Sequence, residues 1–125
     1  MIPRVGIALV SLLCTACLGS TYEQKKEIGE VAARIKLGMP LATVQQLAAS
    51  AGADQVYLAD VGSIFYDGQL PITKEKDFCK EKSKRLVLKY WQGAHAFLSE
   101  FDVLVVVDFD AKDVVCAQDV ISIRR

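Results

Sequence analysis

The chain has 125 residues, with 15 basic and 15 acidic side chains, so its formal net charge at pH 7 is zero. This balance excludes the strong basic excess that is typical of nucleic-acid-binding proteins. The length is enough for one small domain with a single hydrophobic core and too short for two.

The N-terminal segment has the pattern of a secretory signal peptide. Arg4 gives it a basic start, an almost unbroken run of apolar and small residues covers 5–16, and Cys17 follows. A basic start, an apolar stretch of about a dozen residues and small residues at the cut are typical of secretion signals. The run is shorter than the roughly twenty apolar residues of a membrane-spanning helix. We therefore expect residues 1–16 to be removed on export.

Thr15-Ala16-Cys17 resembles the lipobox of bacterial lipoproteins, in which cleavage occurs directly before a cysteine that then carries lipid. The resemblance implies lipid on Cys17 and a short tether over 17–21. Several acyl chains on one residue anchor a protein stably, where one chain does not. Residue 18 is Leu rather than Asp, which by the sorting rule of such lipoproteins implies the outer membrane, with the domain facing the periplasm. An ordinary cleaved signal with two incidental cysteines is the alternative.

Two cysteines remain beyond this signal, Cys79 and Cys116. Because the periplasm is oxidising, two cysteines in a small exported domain favour a disulfide. Two free thiols are the alternative. A metal site is not predicted, since these two residues and the single histidine, His95, lack ligand spacing. No cofactor is predicted.

Two helices are predicted at the start of the domain. The first begins near Tyr22 or Glu23 and repeats apolar residues at i, i+3, i+4 and i+7 on one face, namely Ile28, Val31, Ala32 and Ile35. Gly38 ends this helix, and Pro40 opens the second because its fixed φ suits a first turn. Since only a few residues join the helices, we expect a helical hairpin.

The rest of the chain changes to the period-two alternation of strands. Three strands are predicted, over Leu86–Trp91, Val103–Phe109 and Val114–Ile123, with Gln55–Ala59 as a candidate edge strand. Consecutive strands with short links form an antiparallel meander. The predicted fold is a single α+β domain over 22–125, in which the N-terminal helical hairpin packs on a three-stranded antiparallel sheet as a two-layer sandwich.

Two segments carry a resemblance to a known family. Residues 35–44 contain, in order, an apolar residue, a gap of two residues, Gly-Met, a helix-capping position and a Val on the second helix. Residues 104–109 form an apolar strand that ends in Phe, and Asp110 and then Val114-Val115 follow it. Behind a lipidated cysteine, this order resembles the SmpA/OmlA (BamE-like) family, the small lipoprotein subunit of the outer-membrane β-barrel assembly machine. Pro40 departs from that family's hydroxyl or acidic cap. The resemblance implies the fold above, a binding role and the assembly machine as a partner.

A non-catalytic protein-binding or scaffold module is the first functional hypothesis. If the helices cover one face of the sheet, the other face keeps an apolar strip of Trp91, Leu104 and Val106. Exposed apolar patches mark partner sites, and aromatic residues are favoured in them. The alternative is that the long loop over 61–84 covers this face and completes the core.

The second hypothesis is an inhibitor or protector that binds an envelope hydrolase or toxin, a role that the same fold has in secreted β-lactamase inhibitor proteins. It requires a protruding loop with an acidic or aromatic tip, for which Tyr66-Asp67-Gly68 is the candidate.

An enzyme is not predicted. His95 lies in an expected strand connection, where a lone histidine is more often a surface residue than a general base. Three aspartates, Asp108, Asp110 and Asp113, lack the spacing of a calcium loop and are interpreted as turn residues. The charged run over 74–85 is interpreted as a solvated loop or short helix, with contact to anionic head groups as the alternative.

Overall fold

The computed structural model describes residues 26–91 and 101–124, which form an α+β fold. The residues of the expected signal peptide and tether, Cys17 and His95 lie outside this part of the chain. Its helices are α1, helical over 26–34, and α2, Leu41–Ala49. The strands of its sheet are β1, Gln55–Asp60; β2, Lys84–Trp91; β3, Phe101–Phe109; and β4, Val115–Arg124. A 3-10 turn covers Lys74–Lys76.

The sheet is antiparallel, with the strands in the order β1-β2-β3-β4. The predicted class is therefore confirmed, but the predicted count of three strands is one too low. The candidate edge strand is a full member, since all six residues of β1 pair with β2, from Gln55 opposite Lys89 to Asp60 opposite Lys84. Its signal in the sequence is weak because an edge strand on a half-exposed surface needs only a few apolar residues.

The linker between the helices is itself paired with the sheet. Gly38 has φ of 83°, in the left-handed region that glycine adopts without strain, and its N–H donates to the carbonyl of Val115 at 2.8 Å. Val115 N–H donates back to Met39 O at 2.9 Å. Pro40 supplies no side-chain cap to α2; instead the first N–H of that helix, on Leu41, donates to Asp113 O at 2.8 Å. A backbone carbonyl in the turn before β4 thus replaces the missing cap.

The main hydrophobic core lies between the helices and one face of the sheet. Alternation places Leu86, Leu88 and Tyr90 on this face of β2, as predicted, and all three are buried. Further members of the cluster come from both helices, from the residue directly after α1, and from β3 and β4: Ile28, Ala32, Ile35, Val44, Ala48, Val103, Val105, Val107, Phe109 and Val115.

A second, smaller core lies on the opposite face. Val87 of β2 and Leu104 and Val106 of β3 pack there against Leu70, with Ile72 partly buried beside them. Both Leu70 and Ile72 come from the segment between β1 and β2, so this segment folds over the face that the helices leave open. The domain is therefore a sheet with cores on both faces.

Candidate protein-binding surface

The strip of contact residues predicted from the sequence is not a single exposed surface. Leu104 and Val106 are only 4% and 0% exposed, so the prediction that they contact a partner is wrong. They are buried because the alternative given above is correct: the loop over 61–84 covers this face of the sheet and places Leu70 against them. Trp91, at the end of β2, is 46% exposed, and its role as a contact residue stays a prediction.

Arg85 holds this covering loop in place. Its side chain is buried, and its Nε and Nη2 donate to the two carboxylate oxygens of Asp108 at 2.6 and 2.9 Å. Its Nη1 donates to two loop carbonyls, those of Asp67 at 2.7 Å and Leu70 at 2.9 Å. The Tyr66 ring lies 5.0 Å from the guanidinium carbon, a cation–π distance. One guanidinium therefore joins β2, β3 and the loop.

Lys82 adds a second cation to the buried carboxylate. Its Nζ lies 2.9 Å from Asp108 and donates to Asp77 at 2.7 Å. Burial on its own lowers the pKa of Lys82, but the hydrogen bonds to these two carboxylates outweigh it and raise the pKa. Burial likewise raises the pKa of Asp77, and the bonds from Lys82 and from the N–H of Cys79 reverse this and lower it. The interpretation of 74–85 as solvated is thus wrong for Arg85.

The interpretation of Asp108 as a turn residue is wrong, because it lies buried in β3, but Asp110 and Asp113 do lie in the predicted turn. Asp110 Oδ1 accepts from the N–H groups of Lys112 and Val114 at 2.8 and 3.3 Å. Asp113 has φ of 58° and its carboxylate pairs with Lys84 at 2.7 Å. Among the described residues, no group of three or more His, Cys, Asp or Glu side chains is arranged to hold a metal ion.

The disulfide predicted between Cys79 and Cys116 is present, with the Cα atoms 4.9 Å apart. It ties the charged segment to β4, where Phe78 N–H donates to Cys116 O at 2.9 Å and Asp77 forms a β-bridge with Ala117. This contact covers the outer side of β4 in its first half.

The Asp119 carboxylate extends the same contact. It accepts from the N–H of Thr73 at 3.2 Å and from Lys76 Nζ at 2.9 Å. Burial raises the pKa of Asp119, but these bonds, with one from the N–H of Val120, outweigh it and lower the pKa. The charged segment is therefore held against β4 by a disulfide, backbone pairing and a buried carboxylate.

Exposed apolar side chains gather at the opposite edge of the sheet. Ile64 and Phe65, in the loop after β1, are 92% and 77% exposed. Three further exposed apolar residues lie on β1 or directly after it. We call the five together the β1 surface: Val56, Leu58, Val61, Ile64 and Phe65.

A groove lies along each face of β1. On the helix side, Ala48 and Ala49 of α2 face Val56 and Leu58, with Leu86 also lining the groove. On the loop side, the lining comes from Tyr57, Ala59, Ser63, Phe65 and Asp67, among others. The β1 surface is therefore a strand edge with a groove on either side.

The loop tip was predicted at Tyr66-Asp67-Gly68, but the structure places its protruding side chains two residues earlier in the chain. Tyr66 is only partly exposed, because its ring packs over Arg85. The protruding side chains are instead Ile64 and Phe65. The sequence signal for them is two adjacent large apolar residues between Gly62 and Gly68, outside any alternating pattern.

A second apolar groove lies at the β4 edge, between α1 and the charged segment. Leu37, Phe78 and Val120 are its exposed side chains. Gln118 also lines it; its Nε2 donates to Ala32 O at 2.8 Å, and its buried Oε1 accepts no hydrogen bond within 26–91 or 101–124.

Comparisons with protein-family models, curated proteins and solved structures found no match to this chain. The described residues contain no helix long and apolar enough to cross a membrane. The class that the structure defines is an α+β domain with a disulfide, a loop-covered sheet and an exposed apolar strand edge.

Proposed function

We propose that the protein is a periplasmic lipoprotein, anchored in the outer membrane through lipid on Cys17, that binds another envelope protein through the β1 surface and has no catalytic role. The basic and apolar pattern of residues 1–16 supports export. The Cys79–Cys116 disulfide supports an oxidising compartment. The resemblance of residues 35–44 to the SmpA/OmlA family makes the β-barrel assembly machine the leading partner.

One observation carries the binding role: Ile64 and Phe65, adjacent in the loop after β1, are 92% and 77% exposed, and Phe65 lines the same groove as Leu58 of β1. Single exposed apolar residues are ordinary on a protein surface, but a contiguous group of them marks an interaction site. Phe65 has the character of an interface anchor, since aromatic side chains contribute large contact area.

The loop that presents these two residues is fixed at its base. Arg85 donates to the carbonyls of Asp67 and Leu70, and Leu70 is buried in the second core. A loop held in this way loses less conformational entropy when a partner binds, which favours affinity. The same protruding tip favours the second candidate function, inhibition or protection of an envelope hydrolase or toxin.

The test is capture of partners by the full-length tagged protein from its own membranes, with a reversible crosslinker, mild detergent and mass spectrometry. The decisive variant is Phe65→Ser, and the matched control is Leu37→Ser, which removes an exposed apolar residue at the other edge of the sheet. A Cys17→Ser form measures the contribution of the anchor.

We expect subunits of the barrel-assembly machine to be recovered with the wild type and with Leu37→Ser, and to be depleted with Phe65→Ser and with Cys17→Ser. Recovery of one hydrolase or toxin in that pattern would replace the scaffold role with the inhibitor role. Equal recovery of every captured protein with Phe65→Ser and Leu37→Ser would refute the β1 surface as the binding site.

A further inference from the structure

The two edge strands of the sheet, β1 and β4, differ in how far their outer sides are covered. The first half of β4 is covered on its outer side by the bridge from Asp77 to Ala117 and by the bond from Phe78 to Cys116. On β1, the described residues place a strand on one side only, since β2 is its single neighbour in the sheet. An unpaired edge presents N–H and C=O groups that another strand can join.

The sequence of β1 lacks the devices that normally block such pairing. Natural edge strands carry Lys or Pro, or twist away at a bulge. Residues 55–60 read Gln-Val-Tyr-Leu-Ala-Asp, with neither Lys nor Pro and with their single charge, Asp60, at the last position; their pairing with β2 continues without a register shift. The unpaired edge of β1 can therefore form backbone hydrogen bonds with a strand of another protein.

We propose that β1 binds an extended segment of the partner as a fifth strand of the sheet, and that this segment alternates apolar residues with Lys or Arg. The proposal rests on the proposed function, because it states how the β1 surface engages its partner. Strand addition gains affinity from backbone hydrogen bonds and specificity from grooves that receive alternate side chains.

The apolar half of the alternation is set by the helix-side groove. Ala48, Ala49, Val56 and Leu58 offer an apolar wall to every second side chain of an added strand. A side chain such as Val or Leu is buried there, whereas a charged one would lose its hydration without a partner.

The basic half of the alternation is set by charge. Residues 54–73 contain three aspartates and no Lys or Arg. Asp67 lines the loop-side groove, and neither it nor Asp60 makes an ion pair with any other described residue. The three basic residues of β2 that lie opposite β1 are already engaged: Lys84 pairs with Asp113, Arg85 with Asp108, and Lys89 lies 3.5 Å from a carboxylate oxygen of Asp102.

The test is fluorescence anisotropy with the full-length protein and a labelled eight-residue peptide in which Val and Lys alternate. Two further peptides carry N-methyl groups, one on every Val and the other on every Lys, and a fourth has Glu in place of Lys. Because alternate N–H groups of a strand point to opposite edges, only one of the two methylated peptides should lose binding, by about tenfold or more.

The protein side of the test uses three variants. Asp67→Asn should weaken the Val-Lys peptide by up to about fivefold, the scale of an exposed ion pair, and Phe65→Ser should weaken it as well. Leu37→Ser should leave the affinity unchanged. Hydrogen exchange should show protection of the β1 amides on peptide binding, with β4 amides unaffected.

Several outcomes would overturn strand addition. Equal binding of both N-methylated peptides would exclude backbone pairing, and equal binding of the Glu peptide would exclude the basic preference. If no peptide bound while membrane capture still depended on Phe65, strand addition would be wrong and the proposed function would stand. If capture were also independent of Phe65, both proposals would fail.

Discussion

Replacing Arg85 with Met tests whether the buried ion pair holds the covering loop on the sheet. Arg85 makes two charge-assisted hydrogen bonds to Asp108 and two to loop carbonyls, and Asp108 is fully buried. Met keeps much of the apolar stem and removes every one of these donors. The variant therefore leaves a buried carboxylate with Lys82 as its remaining cation, 2.9 Å away.

Removing one partner of a buried pair typically costs about 3–5 kcal/mol, because the other charge stays desolvated. Lys82 compensates in part, so we expect a loss near the lower end, about 3 kcal/mol. A domain of this size has a free energy of unfolding of roughly 5–15 kcal/mol. The loss is thus a large fraction of the total free energy of unfolding. Because two of the lost hydrogen bonds hold loop carbonyls, the loop should open locally more often than the rest of the domain.

Urea unfolding, followed by circular dichroism in oxidising buffer, measures the global effect. With m of about 1–3 kcal/mol per molar urea, the midpoint should fall by about 2 M. Lys84→Met is the matched control. Lys84 lies on the same strand as Arg85 but pairs with Asp113 at the surface, so its removal should change the urea midpoint little. A loss below about 1 kcal/mol for Arg85→Met, with unchanged hydrogen exchange in residues 61–72, would refute this account.

Three further predictions follow from the buried and linked groups. Replacing Cys79 and Cys116 together by Ser should cost about 3–4 kcal/mol, the chain-entropy value for their 37-residue separation, measured as the shift in unfolding free energy against oxidised wild type; an unchanged midpoint would contradict it. Leu104→Ala should cost about 2–5 kcal/mol because it opens a cavity in the second core, and a stable variant that loses partner capture would instead restore Leu104 as a contact residue. The lowered pKa of Asp119 contributes stability that is present above the ordinary Asp pKa of about 3.9 and is lost as pH falls through the folded-state pKa. Asp119→Asn should therefore flatten the decline of Tm below about pH 4, and Lys76→Met should do so in part. If Tm fell equally steeply with acid in the wild type and in both variants, the pairing of Asp119 with Lys76 would not be formed in solution.

The elements that the sequence predicts well are those with a local cause. The period of Ile28, Ala32 and Ile35 requires a helix whose apolar face is buried, and the alternation of β2 and β3 places their side chains on the correct faces. Gly38 has the positive φ expected of a residue that ends a helix, but α1 already stops at residue 34 and Gly38 lies in the linker after it. Each of these depends on residues within about a turn of one another.

The residues that the sequence placed wrongly depend on distant contacts. Nothing local distinguishes Arg85 from the other basic residues of the charged run; its burial is fixed by Asp108 on the neighbouring strand, 23 positions away. Leu104 and Val106 fail as contact residues for the same reason, since whether that face is exposed depends on where Leu70 lies. An alternating strand with apolar residues on both faces indicates two cores as readily as one core and one interface.

The two edges of the sheet link these observations to function. Burial of the loop on the second face removes the strip that the sequence offered for binding, and the same folding presents Ile64 and Phe65 beside β1. The disulfide and Asp119 hold the charged segment over the first half of the β4 edge, so among the described strands the acidic, apolar edge at β1 is the one left open to a partner strand along its whole length. If that assignment is correct, adding a Lys at the centre of β1, as in Tyr57→Lys, should abolish peptide binding, because like charges would then meet across the added strand pair. Tyr57→Gln removes the ring that packs against the second core without adding a charge, and it should bind the Val-Lys peptide far better than Tyr57→Lys does; equal loss in both variants would mean that lost packing, and not the like charge, abolishes binding.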